Sequence, residues 1–230
     1  MAAPVVLCFA SVLTAQVQSA RDAVLANNGG TAGTTVAVSP GKQPVESEIA
    51  TAGMISYGNY RIFGAAPRAN IWTMGVEYDR HSWGRFLKAQ IDYVVEILPV
   101  AILSEPAKEN FWGGPLSPNQ QLVPGLGISP FGFRFLWRSN MKVKPYMMGK
   151  AGGIFFPKKI LSPASSYANF NFQGDFGLEI SMTERTELRV DPVVYFHVSN
   201  GYFAASNPGF DQLGAKIGIS YHLGRWRGGR

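Results

Sequence analysis

Cysteine, charged side chains and long apolar runs are all scarce in this chain of 230 residues. The single cysteine, Cys8, excludes a disulfide framework within the chain. A mean hydropathy close to zero excludes a bundle of membrane-spanning helices. Charged residues make up only 16% of the chain, whereas aromatic residues reach 13% and glycines number 26. This composition is unlike that of a disordered protein and favours a β-rich fold.

The only long apolar run lies between residues 2 and 17 and is too short to span a bilayer comfortably. Small residues follow it as far as Ala20, as they do around the cleavage site of a secretory signal peptide. We therefore predict a signal peptide over residues 1–20, with a buried N-terminal strand or helix as the alternative. Residues 21–46 carry Gly, Thr, Asn and Pro without a sustained period, which predicts an irregular N-terminal segment.

From about Glu48 onward, apolar and polar residues alternate with a period of two, which is the pattern of β-strands. The clearest case is "ANFNFQGDFGLEIS", which begins at Ala168 and places aromatic and aliphatic side chains on one face and amides and carboxylates on the other. Similar patterns predict eight strands. They lie around residues 49–63, 71–79, 86–97, 122–137, 142–155, 168–180, 185–199 and 212–223.

Short and long connections alternate between these predicted strands. The short turns are expected at residues 81–84, 139–140 and 183–186, and the long connections at 64–69, 99–121, 156–167 and 200–210. An even number of long strands with this alternation predicts an all-β fold, an eight-stranded antiparallel transmembrane β-barrel of the outer-membrane type over residues 47–226. A soluble lipocalin-like barrel is the alternative, with apolar residues inside. Strand length and the export signal favour the membrane barrel.

The segment "HVSNGYFAASNPGFD" joins the last two predicted strands and contains His197, Ser199 and Asp211. A hairpin folded symmetrically about Ala204 places Asp211 directly opposite His197, and opposed residues share a face of the sheet. This register predicts that His197 and Ser199 point outward from the barrel at its cell-surface end.

The alternation of faces along the seventh strand predicts the opposite. Residues two apart share a face, so His197 is grouped with Glu187 and Arg189 on the lumen side. One β-bulge at Asp191 and Pro192 would remove the conflict, since proline cannot donate a ladder hydrogen bond. We therefore predict a bulge there and the outward orientation.

These side chains suit hydrolysis by a serine nucleophile. A histidine can take the proton of a serine hydroxyl, and a carboxylate can orient the imidazole, so Ser199, His197 and Asp211 fit these roles. Backbone N–H groups near Asn200 and Gly201 could stabilise the oxyanion. An ordinary polar loop is the alternative, and the spacing alone does not decide between them.

The segment "DPVVYFHVSNGYFAASNPGFDQLGAKIGISYHL" resembles the C-terminal hairpin of the PagL-type lipid A 3-O-deacylases, which are also grouped as acyloxyacyl hydrolases. The resemblance implies that His197 is the base, Ser199 the nucleophile and Asn200 its neighbouring asparagine. It also matches Asn207 to a downstream asparagine that helps to position the oxyanion donors or the loop. The acidic member is usually glutamate in that family, whereas this chain has Asp211.

The resemblance implies an outer-membrane serine esterase that removes an ester-linked 3-hydroxyacyl chain from lipid A without a cofactor or a metal. Its partners would be lipid A or lipopolysaccharide of the outer leaflet and other outer-membrane lipids, in keeping with the net charge of +6, and not nucleic acid. Lys158 and Lys159 could meet lipid A phosphates or be solvated loop lysines. His81, at a predicted turn, and His222 are expected to be structural. A non-enzymatic barrel of the adhesin or anchor type is the alternative function.

Overall fold

Eight antiparallel strands form a closed barrel in the computed structural model, which describes residues 46–199 and 203–223. Each strand pairs with the next, and the last pairs with the first, which confirms the predicted fold class. The predicted signal peptide at 1–20 lies outside the described residues, and so does the predicted irregular segment at 21–46, except for Glu46. The strands are β1 (Ser47–Tyr60), β2 (Asn70–Phe86), β3 (Ala89–Pro106), β4 (Gln120–Leu136), β5 (Val143–Phe155), β6 (Ala168–Ser181), β7 (Thr186–Ser199) and β8 (Phe210–His222).

The alternating pattern places polar residues in the lumen and apolar residues on the outer wall. In β6, the side chains of Phe170, Phe172 and Phe176 are exposed on the outside, whereas those of Gln173 and Asp175 are buried inside. This is the reverse of a lipocalin-like barrel, whose apolar face points inward. Among the described residues, no helix is long and apolar enough to cross a bilayer.

Ion pairs fill one part of the lumen, and a cluster of buried apolar side chains fills another. Arg189 contacts Glu77 at 3.0 Å and Glu48 at 2.8 Å, and it also pairs with Asp79 and Glu179. Buried charges are tolerable only when they are paired and hydrogen-bonded, and these residues come from β1, β2, β6 and β7. The network therefore cross-links strands that are not neighbours in the sheet. Further members of the network are Arg134, Asp92, Lys150, Glu96, Lys216 and Asp175.

The long connections gather at one end of the barrel, hereafter the long-loop end, and the short turns at the other, the short-turn end. The long connections are residues 61–69, 107–119, 156–167 and 200–209, the last described from 203, and the short turns are residues 87–88, 137–142 and 182–185. The predicted alternation of short and long connections is therefore confirmed.

The predicted turn at residues 81–84 is wrong. β2 continues to Phe86, and Leu87 and Lys88, both with positive φ, form a two-residue turn as tight hairpins require. The register between β2 and β3 shifts after His81, and Gly84, with a φ of 80°, lies in this irregular stretch. A bulge containing glycine therefore had the sequence signature of a turn.

Two neighbouring expectations change with this register. His81 lies in β2, not in a turn, and its Nδ1 is 3.1 Å from the Asp92 carboxylate, which fits a structural role. β3 extends to Pro106, well beyond residue 97, although Pro99 lies within it. The ladder shifts between Leu98 and Ala101, so the missing N–H of this proline falls at an irregularity.

We expect Arg189→Ala to lower the free energy of unfolding by about 3–5 kcal/mol, because it removes one buried cation from a network of buried carboxylates and leaves their charge only partly compensated. Urea unfolding of the barrel in detergent micelles, followed by tryptophan fluorescence, measures this change. Arg185→Ala is the matched control, since Arg185 is exposed in a short turn. Equal stabilities of the two variants would contradict a cross-linking role for the lumen network.

Candidate active site

The β7–β8 hairpin brings His197 and Asp211 into direct opposition. The register shifts between Asp191 and Val194, so that the lumen-facing parity before the bulge becomes outward-facing parity after it. Both neighbours of His197 in the chain are fully buried, whereas 21% of the His197 side chain is exposed. The predicted opposition, the bulge and the outward face of His197 are thereby confirmed.

The Asp211 carboxylate orients the imidazole of His197. Its Oδ1 lies 2.6 Å from His197 Nδ1 and accepts a hydrogen bond from the Tyr195 hydroxyl at 2.7 Å. A carboxylate can only accept, so the proton of the neutral imidazole lies on Nδ1 and the Nε2 lone pair is left free. The Phe63 ring lies nearly perpendicular to the imidazole, with ring centroids 6.1 Å apart. His197 is therefore held in the tautomer that a general base needs.

The other carboxylate oxygen of Asp211 is held by backbone. The N–H groups of Ile62, Phe63 and Gly64 all donate to Oδ2, at 2.6 Å from Ile62 and 2.8 Å from Gly64. We call residues 62–66 the strap, because Ala65 and Ala66 continue it with hydrogen bonds to the carbonyls of Pro208 and Gly209. The strap buries Asp211 completely, although this residue has outward parity. It thus compensates a charge on an otherwise apolar surface.

Gly64 is required where the strap crosses β8. A Cβ atom on this residue would lie 2.4 Å from the Cα of Phe210, which no real contact allows. The strap can therefore approach β8 closely enough for its N–H groups to reach Asp211.

Ser199 is the last residue of β7 and pairs with Phe170 of β6. Ser199 and His197 are two residues apart on β7, so their side chains lie on the same face of the sheet. Within the described residues, no hydrogen bond joins the two side chains. A Cβ built on Gly209 would lie 3.1 Å from Ser199 Oγ, so glycine keeps the space beside the hydroxyl open. In serine hydrolases, such contacts often tighten only when substrate binds.

Of the residues expected to position the oxyanion donors or the loop, the structure describes only Asn207. Asn200 and Gly201 lie outside the described residues. Asn207 donates from Nδ2 to Asn169 at 2.7 Å, and its Oδ1 accepts the N–H of Gly209 at 3.1 Å. Asn207 thus holds the hairpin loop against β6, which is one of its two expected roles.

Two parts of the site were not anticipated from the sequence. Tyr195 has the same parity as His197, so a search of that face could have found it. The strap could not be found in this way, because backbone N–H groups leave no pattern of residue types.

Two apolar grooves on the outer wall adjoin this site. The wall groove has a volume of about 740 Å³ and lies nearer the middle of the barrel. The rim groove, of about 690 Å³, lies nearer the long-loop end. The main lining residues of the wall groove are Phe63, Phe133, Phe135, Gly149, Gly174, Phe176 and Tyr195. Those of the rim groove are Ile128, Gly153, Phe155, Phe170 and Phe203.

The charged loop residues lie apart from both grooves. Lys158 pairs with buried Glu105 at 2.7 Å, and Lys159 donates to the carbonyl of Pro163 at 3.4 Å. Burial and the nearby Glu105 raise the pKa of Glu109, in the β3–β4 connection, to about 8. Contact of these lysines with phosphate remains a prediction. In the described part of the chain, no three His, Cys, Asp or Glu side chains are grouped to hold a metal ion.

Comparisons with known proteins give one family and several barrels. The family model described as lipid A 3-O-deacylase (PagL) matches residues 72–220, well over half of the chain. The crystal structure of the outer membrane enzyme PagL is 14% identical, with a TM-score of 0.52, over 74% of this chain and 97% of that chain. The N-terminal β-barrel domain of Pseudomonas aeruginosa OprF is 9% identical, with a TM-score of 0.40, over 77% and 97%. No curated protein matches the chain.

We expect Gly64→Ala to displace the strap, because the added methyl group collides with the backbone of β8. Each lost hydrogen bond to the Asp211 carboxylate is worth about 1.5–3 kcal/mol, so the strap amides should exchange roughly 10–100 times faster. Hydrogen–deuterium exchange of the barrel in micelles measures this rate. Gly53→Ala is the control, since its added atom would meet only Thr73 O at 3.9 Å. Unchanged protection of residues 62–64 in Gly64→Ala would show that the strap does not depend on this close approach.

Proposed function

We propose a function from one premise, namely that the chain belongs to the lipid A 3-O-deacylase (PagL) family. The family consists of carboxylic ester hydrolases, so the chain is an enzyme of this class, and its barrel places it in the outer membrane. The proposal itself concerns the chemistry. Ser199, His197 and Asp211 remove the 3-O-linked 3-hydroxyacyl chain of lipid A at the cell-surface end of the barrel.

The reaction follows the serine esterase scheme. His197 Nε2 takes the proton of Ser199 as Oγ attacks the ester carbonyl, and Asp211 stabilises the imidazolium. N–H groups near Asn200 and Gly201 donate to the oxyanion of the tetrahedral intermediate. As the intermediate collapses, His197 returns the proton to the departing sugar oxygen and leaves an acyl-enzyme. Water, deprotonated by His197, then releases the fatty acid and restores Ser199.

The contact of 2.6 Å between His197 and Asp211 is the observation that carries this proposal. An aspartate is a methylene shorter than the usual glutamate, but direct opposition across the hairpin brings its carboxylate within reach of the imidazole. Tyr195 and the strap satisfy the remaining acceptor sites of this carboxylate. Asp211 can therefore act here as the acidic partner.

The wall groove gives the scissile acyl chain a place to lie. It begins at Tyr195 and Phe63, which both border the His197 site, and continues over the open floor of Gly149 and Gly174. Each methylene that leaves water for such a surface contributes about 0.8 kcal/mol. The groove thus supplies binding energy next to the reacting ester.

We expect Ser199→Ala and His197→Ala to lower the deacylation rate at least about a thousandfold, because each removes a partner of the proton transfer. Mass spectrometry of lipid A from expressing cells checks this. The wild type should yield lipid A lacking one 3-hydroxyacyl chain, and both variants should leave it intact. Ser82→Ala and His81→Ala, at the short-turn end, are matched controls. Deacylation in both site variants, or in none of the proteins, would refute the proposal.

We expect Asp211→Glu to be less active than the wild type, because the strap and the opposed register hold a carboxylate at the reach of aspartate. Initial rates on purified lipid A in micelles measure the effect, with Asp211→Asn as a charge-free comparison. A wild type that is inactive, together with an Asp211→Glu variant that gains activity, would instead favour a barrel that has lost its catalytic function.

A further inference from the structure

We propose that the rim groove binds a second acyl chain of the lipid molecule whose first chain is cleaved. This inference rests on the proposed function and deepens it, since it makes a lipid with several acyl chains the preferred substrate. The groove is apolar, lies on the outer wall and adjoins the candidate active site.

Strand register locates both grooves relative to the candidate nucleophile. Antiparallel pairing places Ser199 in one row across the sheet with Phe170, Gly153 and Ile128. All three of these partners line the rim groove. The row of Ser199 therefore runs straight into the rim groove.

The row of Tyr195 runs into the other groove. It continues through Gly174 and Gly149 to Phe133, and all four residues line the wall groove. Tyr195 precedes Ser199 by four residues on β7, so the two rows are separated along the strands.

The row of His197 lies between these two and forms a partition. His197 pairs with Phe172, which pairs with Ala151, which in turn pairs with Phe131. Phe131, Ala151 and Phe172 line both grooves, so the two phenylalanines mark their common boundary. The reacting ester, between His197 and Ser199, would thus lie level with this boundary. An acyl chain that starts at this ester and lies along the wall groove would leave the rim groove free for a second acyl chain.

The lining of the rim groove selects an alkyl chain. Phe155, Phe170 and Ile128 are exposed apolar side chains around its glycine floor. Phe203, from the connection that follows Ser199, packs on Phe170 with ring centroids 5.9 Å apart. A sugar would need hydrogen-bonding partners that such walls do not offer. In the outer membrane, the apolar groups next to the outer wall are lipid acyl chains, and a second chain of the substrate is delivered by the same headgroup.

Groove-filling variants assayed on two substrates test this inference. Gly153→Leu fills the rim groove, where its Cβ would meet the Phe155 ring at an ordinary 3.4 Å. Gly174→Leu fills the wall groove, where a Cβ would meet nothing within 4 Å. The substrates are lipid A with all its acyl chains and a glucosamine derivative that carries one 3-O-linked 3-hydroxyacyl chain, both in the same micelles.

We expect Gly153→Leu to raise KM for lipid A about tenfold, the effect of roughly two lost methylene contacts, and to leave KM for the single-chain ester unchanged. Gly174→Leu should impair hydrolysis of both substrates. Phe203→Ala removes part of the rim groove wall and is a second, independent test. If Gly153→Leu does not fold, Phe203→Ala should show the same selective effect on lipid A.

Equal losses on both substrates in Gly153→Leu would mean that one chain threads both grooves, and would overturn the proposal. No loss on either substrate, with Phe203→Ala also unchanged, would mean that bulk lipid fills the rim groove, and would overturn it as well. A wild type that hydrolyses neither substrate would refute the proposed function itself, which is a different result.

Discussion

The hydrogen bonds around the Asp211 carboxylate link the parts of the molecule on which the proposed chemistry depends. One oxygen connects β8 to His197 and Tyr195 of β7, and the other connects it to the strap that follows β1. β1 and β8 are also the strands that close the barrel. Closure of the sheet and orientation of the imidazole thus meet at one side chain. Five donors around one carboxylate also explain how a charge can lie on an apolar face.

The division between lumen and outer wall gives the site its setting. Ion pairs, amides and a cluster of buried apolar side chains occupy the interior, and the outer wall presents an exposed apolar surface. His197 changes from one side to the other through a single bulge after Asp191. A one-residue irregularity therefore moves the side chain of His197 from the lumen face to the outer face of the barrel.

Alternation and turn chemistry predicted much of the fold but not all of its boundaries. The eight strands and the order of short and long connections follow from local pattern, because each strand shows its own two faces. Near Gly84 and Pro99 the local signals were misleading, since residues that usually break strands lie at bulges here. Bulges depend on the partner strand, and a single strand read alone does not reveal them.

The sequence by itself determined the number and order of the strands, which residues share a face, the opposition of His197 and Asp211, and the chemical types at the site. Those features depend on residue spacing within one hairpin, where geometry is nearly independent of the remaining chain. Only the tertiary structure decided which groups complete the site. The strap reaches Asp211 from about 150 residues away through backbone N–H groups, which every residue but proline possesses. The two grooves likewise arise from rows across four strands, so their shape exists only once these strands have paired.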